Sequence, residues 1–315
     1  MKLHLDDEVF QEFITLTASE LKINPLFIEK DYWITLVLSR LAKSKYVNES
    51  VFKGGTSLSK GFNLIQRFSE DVDIAIINDN GKTGNEIKTI IRTIEKEITP
   101  DLTELKMDGV TSKGSRFRKS VFEYVSKDKS NQNNKLIVEV NSFANPFPFQ
   151  RLTIQSFVFD FLKQTGNEKY IYEYNLQSFE VNVLNKEQTL LEKMVSLIRF
   201  SFEENTVESI SKKIRHFYDF YFLMKNPECA DFVASDLFKK QFDIILQHDR
   251  EMYDEPKGWQ NKLIAESPLV NDFSTIWKQL KVKYQTELSA FAYRPISDEK
   301  DVAKCFEELI IRVKD

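Results

Sequence analysis

Asp71 and Asp73 stand one residue apart in Asp71-Val72-Asp73-Ile74, shortly after the stretch Phe52-Lys53-Gly54-Gly55-Thr56-Ser57-Leu58-Ser59-Lys60-Gly61. A strand places residues i and i+2 on one face, so Val72 and Ile74 can enter a core while both carboxylates point the other way. Two acids side by side repel, and a hard divalent cation is their natural partner. Mg²⁺ is held by one or two carboxylates together with substrate phosphates. The same arrangement serves two-metal phosphoryl or nucleotidyl transfer, with Mn²⁺ as the alternative ion.

The glycine stretch supplies a second half for such a site. Val51-Phe52 reads as a short strand, Gly54-Gly55 lets the backbone turn and approach a ligand, and Thr56 or Ser57 can cap a helix beginning near Leu58. A helix N-terminus binds phosphate through unpaired amides and its dipole, with the Thr56 and Ser57 hydroxyls as further donors. Lys60, about one turn further on, could add positive charge. Gly-Gly-Thr-Ser alone is an ordinary turn, and Asp-x-Asp alone is little more. In the order strand, glycine turn, helix, Asp-x-Asp strand, they are considerably more specific.

Three further residues can join this chemistry. Glu139 lies in Lys135-Leu136-Ile137-Val138-Glu139-Val140-Asn141-Ser142-Phe143, a central-strand pattern interrupted by one charge. A bare buried carboxylate is costly, so Glu139 is either the third acid of the metal site or a glutamate paired with Lys or Arg. After Asn185, the stripe Leu190, Leu191, Met194, Leu197 and Ile198 leaves Lys193 on a neighbouring helix edge, as a solvated lysine or as one that reaches a triphosphate. Asp219 sits in Phe217-Tyr218-Asp219-Phe220-Tyr221-Phe222-Leu223 and needs a partner; Arg215 and His216, one turn earlier, are candidates. A structural ion pair and a link to Lys193 are both open. The aromatic residues around Asp219 read as core packing rather than a base-stacking platform.

At this point the chain resembles the AbiEii/AbiGii-type nucleotidyltransferases, toxin halves of bacterial toxin-antitoxin and abortive-infection systems within the polymerase-beta-like superfamily. Gly54 to Lys60 with Arg67-Phe68-Ser69-Glu70-Asp71-Val72-Asp73 is similar to the family's first motif, and Glu29-Lys30-Asp31-Tyr32-Trp33-Ile34 to its N-terminal signature. Ser178 to Leu184 through Leu191-Glu192-Lys193 resembles a later strand-helix motif, and Arg215-His216-Phe217-Tyr218-Asp219 the last one. The stretch between Gly55 and Asp71 is longer than in many polymerase-beta-like enzymes. The resemblance implies that Asp71, Asp73 and Glu139 are catalytic and hold the metal, with Glu139 helping to accept the proton of the attacking hydroxyl. It implies that Lys193 and Asp219 are functional, that Gly54, Gly55, Thr56, Ser57, Lys60 and Arg67 line the nucleotide site, and that an NMP passes from an NTP to an acceptor such as the 3′ end of a tRNA. A cognate antitoxin would be a partner. Protein nucleotidylation is an alternative within the same chemistry, and a nucleotide-binding module that transfers nothing is an alternative of another class.

The elements that must position these residues fall into three sections. Residues 1–50 read as helical lead-in, with Pro25 opening the second helix. Residues 51–185 read as an α/β (α+β) nucleotidyltransferase core with a mixed sheet: strands near 51–53, 70–77, 102–108, 116–125, 135–143 and 178–184, and helices near 57–66, 83–97 and 155–164. Residues 186–315 read as a helical C-terminal region completing the cleft, with helices near 186–203, 207–225, 235–250, 271–287 and 298–314. Asp128 to Asn134 reads as a mobile hairpin tip.

Composition bounds the reading. The 315 residues are 42% hydrophobic and 29% charged, with 26 Phe and 11 Tyr, enough to fill a large core. No apolar run is long enough to span a bilayer and the first residues lack a signal-peptide pattern, so a cytoplasmic protein without a membrane partner is expected. Cys229 and Cys305 lack a metal-binding or disulfide spacing and read as buried free thiols. A net charge of −4 argues against a general nucleic-acid coat and leaves room for local patches. Lys113, Arg116, Arg118 and Lys119, or Lys212, Lys213, Arg215 and His216, could hold RNA phosphates, or could be solvated faces.

Overall fold

The computed structural model describes residues 1–69, 71–78, 81–126 and 134–314. The expected hairpin tip, apart from Asn134, lies outside the described residues. The chain forms two compact units: Met1–Asn63 with Phe68–Leu184, and Leu64–Arg67 with Asn185–Asp315.

The first unit opens with α1 (Asp7–Leu21) and α2 (Pro25–Leu41). Asn24 caps α2 by accepting from the Leu26 amide at 2.9 Å, and Pro25 takes the first turn, where its missing N–H costs nothing. There follow β1 (Ser50–Lys53), α3 (Gly54–Lys60), β2 (Asp71–Ile76), α4 (Gly84–Ile98), β3 (Thr103–Leu105), β4 (Ser112–Lys113), β5 (Phe117–Glu123), β6 (Lys135–Asn141), β7 (Phe149–Ile154), α5 (Phe157–Gln164), α6 (Glu168–Glu173) and β8 (Phe179–Leu184). The sheet runs β3-β5-β6-β2-β1-β8-β7, with β4 paired to β5. It is mixed: β1 with β8 and β2 with β6 are parallel, and the remaining pairs are antiparallel.

One face of this sheet is closed and the other carries the acids. Val72, Ile74, Leu136, Val138 and Val140 are fully buried, and α4 packs on β6 with an apolar stripe of Ile87, Ile90, Ile91, Ile94 and Ile98. A Thr83–Glu86 capping box starts α4. On the same closed side, Arg118 and Ser120 of β5 donate to the buried Glu95 of α4. Asp71, Asp73 and Glu139 alternate out of the core onto the opposite, partly exposed face.

The second unit is helical: α7 (Lys186–Phe200), α8 (Thr206–Ser211), α9 (Arg215–Lys225), α10 (Pro227–Ala234), α11 (Asp236–Met252), α12 (Pro268–Asn271), α13 (Phe273–Phe291) and α14 (Glu299–Ile311). Phe217 of α9 is enclosed by Phe273, Trp277 and Phe306, with ring centroids 4.8 to 5.8 Å away. These aromatics are core. The short segment Leu64–Arg67 belongs to this unit although it precedes β2: Arg67 makes a β-bridge with Ala292, the Tyr293 amide donates to the Gln66 carbonyl at 3.1 Å, and the Tyr293 hydroxyl donates to the Ile65 carbonyl at 3.0 Å.

Several boundaries differ from the sequence reading. The helix expected near 57–66 begins at Gly54 and stops at Lys60, where Gly61 and the left-handed Asn63 (φ 52°) turn the chain. The expected 207–225 helix is two helices, broken across 212–214, and β4, β7, α6, α10 and α12 were not anticipated. Among the described residues, no helix is long and apolar enough to cross a membrane. Cys229 is buried and Cys305 only partly so; both are free.

Candidate active site

Strand register builds the acidic row. Lys53 of β1 lies opposite Asp73 of β2, Asp73 beside Glu139 of the parallel β6, and Glu139 opposite Lys119 of β5. Three carboxylates and two lysines therefore share one strip of the open face, with Asp71 one pleat along. Lys119 Nζ is 3.7 Å from Glu139 Oε2. Glu139 thus holds both positions expected of it: it stands beside the aspartate pair and faces a lysine.

Helix α3 follows β1 without a linker, and this closes the strip from the side. Gly54 has φ +79°, and a Cβ there would lie 2.2 Å from Asp73 Oδ2. Only glycine suits this position, both for its left-handed backbone and because the Asp73 carboxylate rests against it. Thr56 donates its hydroxyl to the Asp71 carbonyl, tying α3 to β2, and Ser57 donates to the Gly54 carbonyl at 2.8 Å. Both hydroxyls are buried and engaged with backbone. No side chain caps α3, so the donors this helix directs toward an anion are backbone amides rather than the hydroxyls expected from the sequence.

Electrostatics define what the strip lacks. Burial, then the neighbouring Glu139 and Asp71 charges, push the Asp73 carboxyl up to about 8, with Lys53 and Lys119 only partly offsetting them. Added cationic charge would relieve this repulsion. Among the described residues, no three His, Cys, Asp or Glu side chains converge into a ready-made metal cage. The row is open-sided, and that fits Mg²⁺, which keeps several waters and takes phosphate oxygens into its coordination shell. Oxygen-only donors and the absence of a Cβ beside Asp73 agree with such an ion.

Two residues expected to hold phosphate have other partners. Lys60 ends α3 with its Nζ 2.6 Å from Asp31 Oδ1, and it also donates to the Gln155 carbonyl. Arg67 is buried in the helical unit, where its Nε and Nη2 donate to Asp219 Oδ1 and Oδ2 at 2.8 and 2.6 Å. Lys193 Nζ lies 3.0 Å from Asp219 Oδ2, so the link between Lys193 and Asp219 exists, and Lys193 is buried rather than solvated. Arg215 pairs instead with Glu287 at 3.9 Å, and among the described residues the buried Nδ1 of His216 has no hydrogen-bond partner. Burial and the surrounding Lys193, Lys213, Arg67 and Arg215 charges hold the His216 ring well below its usual range, hence neutral. Nothing local pointed to Arg67 as the partner of Asp219, from which it lies 152 positions away.

The basic clusters also disperse. Arg118 is committed to Glu95 on the closed face, Lys113 to Glu104, Lys119 to Glu139 and Lys212 to Glu208.

The family model described as nucleotidyl transferase AbiEii toxin, type IV toxin-antitoxin system, matches residues 36–307. The chain belongs to the AbiEii nucleotidyltransferase toxin family. As an AbiEii-family protein it is a nucleotidyltransferase, with a nucleoside triphosphate as substrate and an antitoxin as the partner of the system. No curated protein matches the chain. Among solved structures it is similar to a putative nucleotidyltransferase from H. pylori, with a TM-score of 0.48, 14% identity and coverage of 93% of this chain and 96% of the other. It is also similar to the nucleotidyltransferase toxin MenT4 from Mycobacterium tuberculosis H37Rv, with a TM-score of 0.49, 14% identity and coverage of 96% and 99%.

Proposed function

We propose that this AbiEii-family protein is a metal-dependent toxin that transfers an NMP from an NTP to a nucleic-acid acceptor such as the 3′ end of a tRNA. The observation that supports it is the row Asp71, Asp73 and Glu139 set across two parallel strands, with Gly54 lying against Asp73. Asp71 and Asp73, with Glu139 beside them, would hold Mg²⁺, or Mn²⁺ in its place. When bound, the ion supplies charge neutralisation at the phosphates and favours the ionised form of the attacking hydroxyl.

The protein's own groups do the rest. Backbone amides of the α3 first turn orient the phosphates. Glu139, beside Asp73, accepts the proton as the acceptor oxygen attacks the α-phosphorus; the bond to the bridging oxygen breaks and pyrophosphate leaves. Little covalent chemistry falls to the protein, so rate comes from positioning and charge. Lys193, with Asp219, is a functional pair in this reading. With NTP and tRNA as reactants, this reading has the protein act in the cytoplasm.

The test is to incubate the protein with each α-labelled triphosphate, Mg²⁺ or Mn²⁺, and either total RNA or a protein extract. Label on RNA with release of pyrophosphate supports the proposal. Label on protein alone replaces the acceptor, and label on neither under any metal leaves a nucleotide-binding module.

A further inference from the structure

Glu29, Lys30 and Asp31 are consecutive charged residues of α2, and all three are buried, 4%, 4% and 2% exposed. Successive helical residues point about 100° apart, so each needs its own partner on a different side. Glu29 accepts from the Ser126 hydroxyl at 2.7 Å, and Lys30 lies 5.8 Å above the Phe68 ring. Asp31 makes the most connections. Its Oδ1 meets Lys60, and its Oδ2 accepts the Phe157 amide at 2.8 Å, an N–H at the start of α5 that has no intrahelical partner. The Lys60 ammonium also holds the Gln155 carbonyl and sits 5.3 Å above the Phe157 ring. One carboxylate and one ammonium thus join α2, the end of α3 and the start of α5.

We propose that Asp31 and Lys60 are a positioning pair that fixes the far end of α3 and thereby sets how its glycine turn lies against the Asp73 carboxylate, the edge beside which a triphosphate must bind. The inference rests on the nucleotidyltransferase reading. Seven residues of helix span about 10 Å, a short stiff rod. Its near end is tied to β2 by Thr56 and its far end by Lys60, after which Gly61 and Asn63 turn the chain away. With the far tie cut, the rod can tilt about the near one, and the Gly54 backbone moves relative to Asp73. A buried ion pair is a poor stabiliser compared with apolar packing but fixes direction well, because both partners lose heavily when misaligned. Lys60 then affects nucleotide transfer without touching phosphate.

The pair is tested with Asp31→Asn, Lys60→Met and the double variant, plus Lys60→Arg as the conservative replacement. Each is measured for Tm, for hydrogen exchange of residues 54–60, and for kcat/KM with Mg²⁺-NTP. Each single variant is expected to melt lower, to exchange faster across 54–60, and to lose kcat/KM by about 10²-fold, the scale of an ångström-sized misplacement. The double variant, with no unpaired charge left, is expected to recover most of the Tm while exchange and kcat/KM stay impaired. Lys60→Arg should retain more activity than Lys60→Met and keeps the test usable where the latter does not fold. Recovery of kcat/KM together with Tm in the double variant makes the pair merely structural and overturns the proposal. A loss confined to Lys60→Met makes Lys60 a phosphate ligand and overturns it as well. Should the parent transfer no nucleotide, the nucleotidyltransferase reading fails, and exchange across 54–60 still decides the pin: unchanged exchange in both single variants refutes it.

Discussion

Asp219 offers the most quantitative prediction. Its carboxylate is fully buried and receives two hydrogen bonds from Arg67 and one ion pair from Lys193, both also buried. Asp219→Ala would leave two cations in an aromatic interior with no counter-charge, and removing one partner of a buried pair costs about 3–5 kcal/mol. At roughly 3–4 °C per kcal/mol for a unit of this size, the helical unit should melt about 9–20 °C lower. Near-UV circular dichroism follows this directly, since Trp259 and Trp277 lie in that unit. Burial pushes the Asp219 carboxyl up, but Arg67 and Lys193 outweigh it and hold it below its ordinary value. A depressed carboxyl stabilises the fold above its unfolded pKa of about 3.9 and ceases to do so as pH falls through the lower folded value. Asp219→Asn should therefore melt lower at neutral pH and lose this component of acid destabilisation below about pH 4. A Tm at pH 7 within ~2 °C of the parent for Asp219→Ala would refute the buried-network reasoning.

Other outcomes follow from the same geometry. Asp71→Asn or Asp73→Asn should abolish transfer while leaving the metal-free Tm unchanged or raised, because repulsion in the acidic row is relieved; a lowered metal-free Tm would count against that. Gly54→Ala should lose both nucleotide affinity, read by calorimetry, and stability, since its Cβ would meet Asp73 Oδ2 at 2.2 Å. Ser57→Ala should cost about 1 kcal/mol in a denaturant titration through its lost bond to the Gly54 carbonyl. Arg118→Ala should lower Tm through Glu95 and leave RNA affinity, measured by filter binding, at the parent's value.

What could be read from the sequence was what depends on near neighbours. Period-two alternation placed Asp71 and Asp73 on one face, the lone charge in 135–143 singled out Glu139, and the mixed α/β class followed from the order of apolar runs. Glycine at position 54 signalled a turn but not the carboxylate packed against it, because that contact depends on the register between β1 and β2. The partners of Lys60 and Arg67 were out of reach for the same reason: Asp31 and Asp219 are brought to them by tertiary packing, and a local charge rule offers Arg215 and His216 instead. The edge strand β7, with its mostly exposed side chains, lacks the apolar alternation that announces a strand.

The strap formed by Leu64–Arg67 sets an order of events during synthesis. Arg67 leaves the ribosome early, whereas Asp219, Ala292 and Tyr293, which hold the strap, follow much later. At roughly 5–20 residues per second, the nascent chain spends of the order of ten seconds or more with the connector to β2 unanchored. A fragment ending at Leu184 would stay in that condition, with a guanidinium lacking its counter-ion and two backbone carbonyls lacking their donors. A premature stop codon before Asp219 therefore releases a chain without the Arg67–Asp219 pair, and one between Asp219 and Ala292 a chain that has that pair but not the bridge to Ala292 or the bonds from Tyr293.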